Sequence, residues 1–230
     1  EIEINEEQTP ITVESSVLKR LLSKTSFSMA SQDVRYYLNG MLLEIDGNKI
    51  NGVATDGHRL ALSSADINAA DLDVRNILPR KAVLELSKLL SQNEGTVELL
   101  IGASYVDVRS ENLSFSSKLI DGKYPDYNKV FPKGDPLPLE ISKEILQSAL
   151  SRASVLSNEK YRGVRFQLSE NKLKLTANNP EQESAEEEVD VIYKGSDLEV
   201  GFNIGYLLDV LNSIDSETVS FEFYGEDSSC

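Results

Sequence analysis

The segment VATDGHRLAL, from Val53 to Leu62, decides how the rest of the sequence is interpreted. Its central Asp-Gly pair is a strong two-residue turn signal, because glycine adopts positive φ freely and aspartate bonds its own turn backbone. Leu60 and Leu62 follow two residues apart, which places them on one face of a returning strand. The segment therefore predicts a β-hairpin whose tip presents His58 and Arg59 beside an apolar wall.

The hairpin tip has two possible functions, as a catalytic pair or as part of a binding surface. A hydrolase would use Asp56 and His58, but a catalytic histidine needs a nucleophile or a metal, and neither has a sequence signature here. His58 is the only histidine and Cys230 the only cysteine, too few by themselves for a zinc site. Phosphate-loop and dinucleotide-binding motifs are also absent from the sequence. We therefore predict a binding protein without catalytic residues, cofactor or metal, and keep the Asp56/His58 hydrolase as the alternative.

The composition is that of a globular protein with one or two domains. The 230 residues are 40% hydrophobic and 27% charged, and no apolar run approaches the ~20 residues of a membrane helix. The sequence shows no signal peptide, and a single cysteine fits a reducing cytosol, so we expect a cytoplasmic protein. The absence of an initial methionine leads us to expect a fragment.

Basic residues are concentrated on predicted helices, although the net charge of the chain is −15. Four segments have amphipathic helical patterns: 14–24, 79–90, 142–152 and 203–214. Together they hold eight lysine or arginine residues against four acids, so their local field is opposite to that of the whole chain. A solvated helix face is the ordinary explanation for one such helix, but three basic helices out of four weaken it.

The two halves of the sequence repeat one order of elements. Gly40 aligns with Gly163 and Ala82 with Gly205, both at an offset of 123 residues. Between the helices, apolar residues alternate with polar ones, as in 164–168, 173–177 and 219–223, which predicts antiparallel sheets with one buried face. The predicted fold class is α+β: tandem modules of antiparallel sheet with two helices each, joined by a proline-stiffened linker over 124–138.

Longer motifs around the hairpin are specific to one family. The runs QDVRYYLNG, ATDGHRLA, PRKAVLEL, KLIDGKYPDYNKVFP, LSNEKYRGVR and TANNPEQE resemble the bacterial DNA polymerase III beta subunits, the replicative sliding clamps. The resemblance covers essentially the whole chain. It implies a DNA clamp fold with three modules per subunit and two subunits per ring, whose helices line a central hole for duplex DNA. Residues 1–126 would be the second, central domain with a few residues of the preceding linker, and residues 127–230 the third domain, truncated at its end.

The resemblance implies a pocket for partner peptides at the junction of the two modules. The apolar members would form its floor, and Gly57 would let a peptide backbone approach closely; the alternative is that they are merely junction core. Lys129 stands where the family often has arginine, which keeps the charge but removes fork-like bonding. The pocket residues are Leu38, Thr55, Gly57, His58, Arg59, Leu60, Pro125, Lys129, Val130, Tyr206 and Ser229.

Two further surfaces follow from the resemblance. DNA-facing positions fall on Gln32, Arg35, Tyr36, Tyr37, Arg80 and Lys81, where cations neutralise phosphates and tyrosines stack on bases; strand core is the alternative for one of the two tyrosines. Subunit-interface positions fall on Val155, Leu156, Glu181, Glu183, Glu186 and Glu187, where acids would face a basic edge of the neighbour and also blunt a free β-edge.

The implied function is processivity rather than catalysis. A clamp encircles duplex DNA without reading its sequence and tethers the polymerase to it. The implied partners are the polymerase III alpha subunit, the clamp loader, translesion polymerases, mismatch-repair proteins and ligase, which insert Gln-Leu-x-Leu-Phe-like segments. The full-length protein would be a homodimer at the bacterial nucleoid, with no membrane association, and the fragment a monomer.

Overall fold

The structure is a computed structural model that describes residues 10–68, 72–158 and 160–230. The chain divides into two compact units, Glu1–Pro125 and Asp126–Cys230. Each unit has its own hydrophobic core. No helix among the described residues is long and apolar enough to cross a membrane.

The first unit contains two helices and two four-stranded antiparallel sheets. One sheet has the strand order β1-β6-β7-β8 and the other β4-β3-β2-β5. In chain order the elements are β1 (Ile11–Glu14), α1 (Ser15–Thr25), β2 (Gly40–Asp46), β3 (Lys49–Thr55), β4 (Leu60–Asp66), β5 (Asp73–Pro79), α2 (Arg80–Leu90), β6 (Thr96–Ile101), β7 (Tyr105–Arg109) and β8 (Ser114–Lys118).

The core of the first unit lies between its helices and the inner faces of its sheets. Leu18, Leu21 and Leu22 of α1 are fully buried, and they share this core with Val83 of α2. Three and four residues separate such positions, so one helical face carries the apolar side chains. Leu42, on the opposite face of β2, is also buried, and after β8 the chain pairs with the edge strand β5 through Ile77 and Ile120.

The second unit repeats this plan. Its sheets have the strand orders β12-β11-β10-β14 and β13-β9-β15, again antiparallel. In chain order the elements are β9 (Leu137–Ser142), α3 (Lys143–Ser154), β10 (Gly163–Ser169), β11 (Lys172–Asn178), β12 (Ser184–Asp190), β13 (Ile192–Tyr193), β14 (Leu198–Asn203), α4 (Ile204–Ser213) and β15 (Thr218–Phe223). Phe166, Tyr193 and Phe223 are the largest fully buried side chains in its core.

The predicted elements are confirmed. All four helices form, and their ends differ from the predicted ones by at most two residues. The oxygens of Ser142 and Asn203 accept hydrogen bonds from the amides of Ile145 and Tyr206, which caps α3 and α4. The predicted alternation is present in β10 and β11, whose apolar residues are buried at every second position.

The predicted linker extends too far at its C-terminal end. Leu137 and Pro138 belong to β9, so the irregular segment ends at residue 136. Proline is tolerated there because β9 pairs with β15 at this point, while β13 pairs only with the next residues, Leu139 and Glu140.

Candidate functional site

The predicted hairpin forms between β3 and β4. Thr55 pairs with Leu60, so the loop contains four residues, Asp56 to Arg59, and the predicted two-residue turn is wrong. Gly57 has φ +90, a left-handed conformation that favours glycine. The longer loop has a physical reason, because side-chain hydrogen bonds close it in place of a tight backbone turn.

Two side chains fix the internal shape of the loop. The Thr55 hydroxyl donates to the carbonyl oxygen of Arg59 at 2.7 Å and accepts from the Gly57 amide at 3.0 Å. Asp56 Oδ1 accepts from the amides of His58 at 2.9 Å and Arg59 at 3.1 Å. The loop is therefore pre-organised, which lowers the ordering cost of binding a partner there.

Arg59 ties one side of the loop to the segment after α1. Its Nε lies 3.2 Å from Asp56 Oδ2, and its Nη2 donates to the carbonyl oxygen of Phe27 at 2.9 Å. The guanidinium also stands over the Phe27 ring, 5.5 Å from the ring centroid. These contacts fix the Arg59 side chain, and they leave the neighbouring Gly57 and His58 exposed at the tip.

The loop geometry does not support the Asp56/His58 hydrolase. Both oxygens of Asp56 are engaged by backbone amides of the loop and by Arg59, so the carboxylate acts as a structural acceptor. In residues 10–68, 72–158 and 160–230, no cluster of three histidine, cysteine or acidic side chains could hold a metal. The loop can bind a partner, but it lacks the orientation of a catalytic base.

Two other segments of the first unit adjoin the hairpin. Arg35 donates to the carbonyl oxygen of Asp56, and hydrogen bonding to Arg35 lowers the pKa of Asp33 to about 2. The hydroxyl of buried Tyr124 lies beside the Thr55 backbone, and burial raises the pKa of this hydroxyl to about 12. Pro125 follows Tyr124 directly. The loop, the segment around Arg35 and the end of the first unit therefore lie close together.

Comparison with known families identifies both units. Residues 12–126 match the model of the DNA polymerase III beta subunit, central domain, and residues 128–230 match that of the C-terminal domain. The chain belongs to the DNA polymerase III beta subunit family. The resemblance inferred from the sequence motifs is therefore confirmed.

Individual beta-subunit relatives give the same result. The Beta sliding clamp of Pseudomonas aeruginosa is 50% identical over 219 residues, which are 95% of this chain and 60% of that protein. The Beta sliding clamp of Escherichia coli K12 is 48% identical over 212 residues, 92% of this chain and 58% of that protein. The chain thus spans about 60% of the length of these curated relatives.

A solved structure confirms the clamp fold. The crystal structure of a DnaN sliding clamp (DNA polymerase III subunit beta) from Pseudomonas aeruginosa bound to griselimycin matches with a TM-score of 0.96 at 48% identity. The match covers 99% of this chain and 62% of that chain. The α+β class predicted from the strand and helix patterns is therefore correct for this beta-subunit chain.

The predicted peptide-pocket residues differ in exposure. In the first unit Leu38 is buried, Leu60 is half-buried, and Pro125 is exposed. In the second unit Val130 is 54% exposed, and Lys129 forms an ion pair of 3.2 Å with Asp126, which lowers the pKa of that carboxyl. Tyr206 is half-buried in the first turn of α4, and Ser229 is exposed.

The predicted DNA-facing residues of this beta-subunit chain are partly engaged within the protein. Gln32 and Lys81 are exposed, and Tyr36 is 56% exposed and meets half-buried Tyr37 edge to face at 5.8 Å. The two tyrosines lie on a short 3₁₀ turn, so the strand-core alternative is wrong for both. Arg80 Nη1 donates to the carbonyl oxygen of Met29 at 3.1 Å.

The predicted subunit-interface residues lie just after α3, in the β11–β12 loop, and on the edge strand β12. Val155 is 80% exposed, and Leu156 is half-buried. Glu181, Glu183 and Glu186 are exposed, whereas Glu187 forms a two-fold hydrogen-bonded ion pair with Arg152 at 2.8 and 2.7 Å. Hydrogen bonding to Arg152 lowers the pKa of Glu187.

Several residues that build the site were missed in the sequence analysis. Phe27, Asp33 and Asn39 hold the hairpin or its neighbours in place. The only local signal is the Asp33-x-Arg35 spacing, which allows a carboxylate to bond the amide two residues later.

Proposed function

We propose that this chain supplies the central and C-terminal domains of a sliding clamp that encircles duplex DNA and tethers the replicative polymerase. One observation carries the proposal: half of the residues are identical, over 95% of the chain, to a protein named Beta sliding clamp. Such a protein needs no reacting groups, because processivity comes from topology. We assign it no intrinsic catalytic activity and a place in the bacterial cytoplasm, at the nucleoid.

The proposed partners are those of a clamp. They are duplex DNA of any sequence, the polymerase III alpha subunit, the clamp loader, translesion polymerases, mismatch-repair proteins and ligase. The proteins would each insert a short Gln-Leu-x-Leu-Phe-like segment. The apolar side chains of such a segment would anchor it in a small pocket. The interface residues at Val155, Leu156 and on β12 would serve the homodimer.

The hairpin loop is the part of the site that supports peptide binding most directly. Leu60 and Leu62 stand on the same face of β4, half-buried and 41% exposed respectively, which gives an apolar surface beside the loop. Gly57 and His58 are exposed, so a partner can reach the tip of the loop. Apolar contact area with a few fixed polar groups is typical of ligand sites.

Peptide titration tests the proposal. A Gln-Leu-x-Leu-Phe peptide should shift the amide signals of residues 55–62 in the ¹⁵N-labelled chain. Leu60→Asp should weaken binding by about tenfold or more, because it buries an unpaired charge against the peptide. Ile192→Asp, at a 61% exposed residue of β13, is the matched control and should bind like the wild type. Shifts confined to residues far from the hairpin would refute the site.

A further inference from the structure

Arg35 is directed at the hairpin loop and not only at solvent. Its Nε and Nη2 donate to the two carboxylate oxygens of Asp33 at 3.0 and 2.8 Å. The same Nη2 donates to the carbonyl oxygen of Asp56 at 3.2 Å. Because this pairing uses the planar fork of the guanidinium, it fixes the orientation of the group as well as its charge.

Asp33 is itself held by Asn39, the residue directly before β2. Its amide donates to Asn39 Oδ1 at 2.9 Å, and its carbonyl oxygen accepts from Asn39 Nδ2 at 2.8 Å. Asn39 directly precedes β2, and its carbonyl oxygen accepts from the Arg80 amide at the start of α2. Asn39, Asp33 and Arg35 thus form a continuous chain of hydrogen bonds, the polar relay, from the sheet base to the loop.

The last step of the polar relay is a close contact. A Cβ atom placed on Gly57 would lie 2.9 Å from both Nη1 and Nη2 of Arg35, so the guanidinium covers Gly57 where a side chain would project. A side chain at residue 57 would clash with Arg35, and a loop that moves away from Arg35 loses the hydrogen bond to the Asp56 carbonyl oxygen. Arg35 therefore contacts the loop at Asp56 and Gly57, in addition to the contact that Arg59 makes with Phe27.

The internal bonds of the loop do not depend on the polar relay. Thr55 and Asp56 close the loop through their own side chains. Arg35 is 46% exposed and Asp33 21%, so their ion pair contributes little to global stability. Removing the relay should change where the loop stands and leave its shape and the fold intact.

We propose that the polar relay holds the hairpin loop in its partner-binding position, with Asp33 and Arg35 as positioning residues. This inference rests on the proposed function, since it takes the loop as the peptide site. Arg35, predicted from the sequence only as a DNA-facing residue, would then also support the loop. Asp33, which lies outside every predicted site, becomes a determinant of peptide affinity.

Two variants separate positioning from direct contact. Arg35→Lys keeps the charge but loses the fork, and Asp33→Asn removes the charge that orients Arg35. Each should weaken binding of a fluorescent Gln-Leu-x-Leu-Phe peptide about fivefold, the effect of one lost exposed charge-assisted bond. If Arg35 instead contacted the peptide directly, Asp33→Asn would release it and leave affinity unchanged or improved, which overturns the proposal.

Parallel measurements distinguish this inference from the proposed function. Asp33→Asn removes a negative charge, so its affinity for a short duplex should stay equal or rise while its peptide affinity falls. Arg165→Lys, an exposed arginine paired with Glu199 in the second unit, is the matched control and should change neither. If the wild type binds the peptide and both Arg35→Lys and Asp33→Asn bind it with the same affinity, the proposed role of the polar relay is wrong.

The amide spectrum of the free protein gives a second readout. Both variants should shift the Gly57 and His58 signals, whereas the melting temperature should stay close to that of the wild type. If the wild type binds no peptide, the proposed function fails. If the Gly57 and His58 signals do not move in the free variants, the proposed role of the polar relay fails, whatever the peptide result.

Discussion

The buried hydroxyl of Tyr124 makes the stability of the protein sensitive to alkaline pH. Its pKa is raised to about 12 by burial, above the ordinary value of 10.0, so the neutral form is favoured in the folded state. Its stabilising contribution is complete below pH 10 and is lost as pH rises towards 12, by roughly 1.4 kcal/mol at about pH 11. Urea unfolding of Tyr124→Phe should lack this loss. Equal pH dependence in both proteins would contradict it.

The role of a single residue could be predicted from the sequence only where its contacts are with residues nearby in the chain. The Asp-Gly pair indicated the hairpin, but the loop length depends on how Thr55 and Asp56 bond the backbone, which composition alone does not determine. The contact of Arg59 with Phe27 joins residues 32 positions apart, and that of Arg35 with Asp56 spans 21. Such pairings depend on tertiary geometry, so no local pattern indicates them.

The start of β2 depends on a close approach that only glycine allows. A Cβ on Gly40 would collide with the carbonyl oxygen of Leu78 on β5 and lie 2.9 Å from Ile77 Cγ2. Since backbone cannot rotate away, Gly40→Ala should destabilise the first unit by about 2 kcal/mol in urea unfolding. Gly163→Ala is the matched control, because Gly163 begins β10 and a Cβ there meets no described atom within 4 Å. Equal stability of the two variants would refute this packing.

The helices and strands could be predicted because the spacing of their apolar residues is periodic. The helices α1 to α4 bury every third or fourth residue, and β10 and β11 bury every second one, so each pattern matched one structure. The segment Ser26–Asn39 has no such period. Its two 3₁₀ turns are held by side-chain and backbone bonds between segments, including those of Asp33 and Asn39. Its structure was therefore not predicted.

Across the whole molecule, one hairpin occurs twice with different chemistry. The repeat offset of 123 residues aligns Ala54 with Ala177, so the β3–β4 loop corresponds to the β11–β12 loop. The first carries His58 and Arg59, whereas the second is closed by Asn179 bonding Glu183 and carries two acids and no cation. The proposed peptide site and the proposed acidic interface are thus the same element in two modules. The shared apolar pattern keeps the fold, which leaves the loops free to diverge in function.

Binding of DNA by this acidic chain should be weak and should depend on salt. The net charge of −15 opposes binding, so any affinity must come from local cations such as exposed Lys81 at the start of α2. On a short linear duplex, where free ends prevent topological retention, affinity should not vary with sequence. It should fall steeply as salt rises, because each phosphate contact releases counterions.

A single substitution tests this electrostatic account. In fluorescence anisotropy at several salt concentrations, Lys81→Ala should lower duplex affinity and reduce the slope of log affinity against log salt by about one. Lys194→Ala, at an exposed lysine of the second unit outside every proposed site, removes the same charge and should keep the wild-type slope. Peptide affinity should be unchanged in both, since neither residue adjoins the hairpin loop in the proposal. Salt-insensitive or sequence-selective binding by the wild type would mean direct base readout, which a sliding clamp does not use.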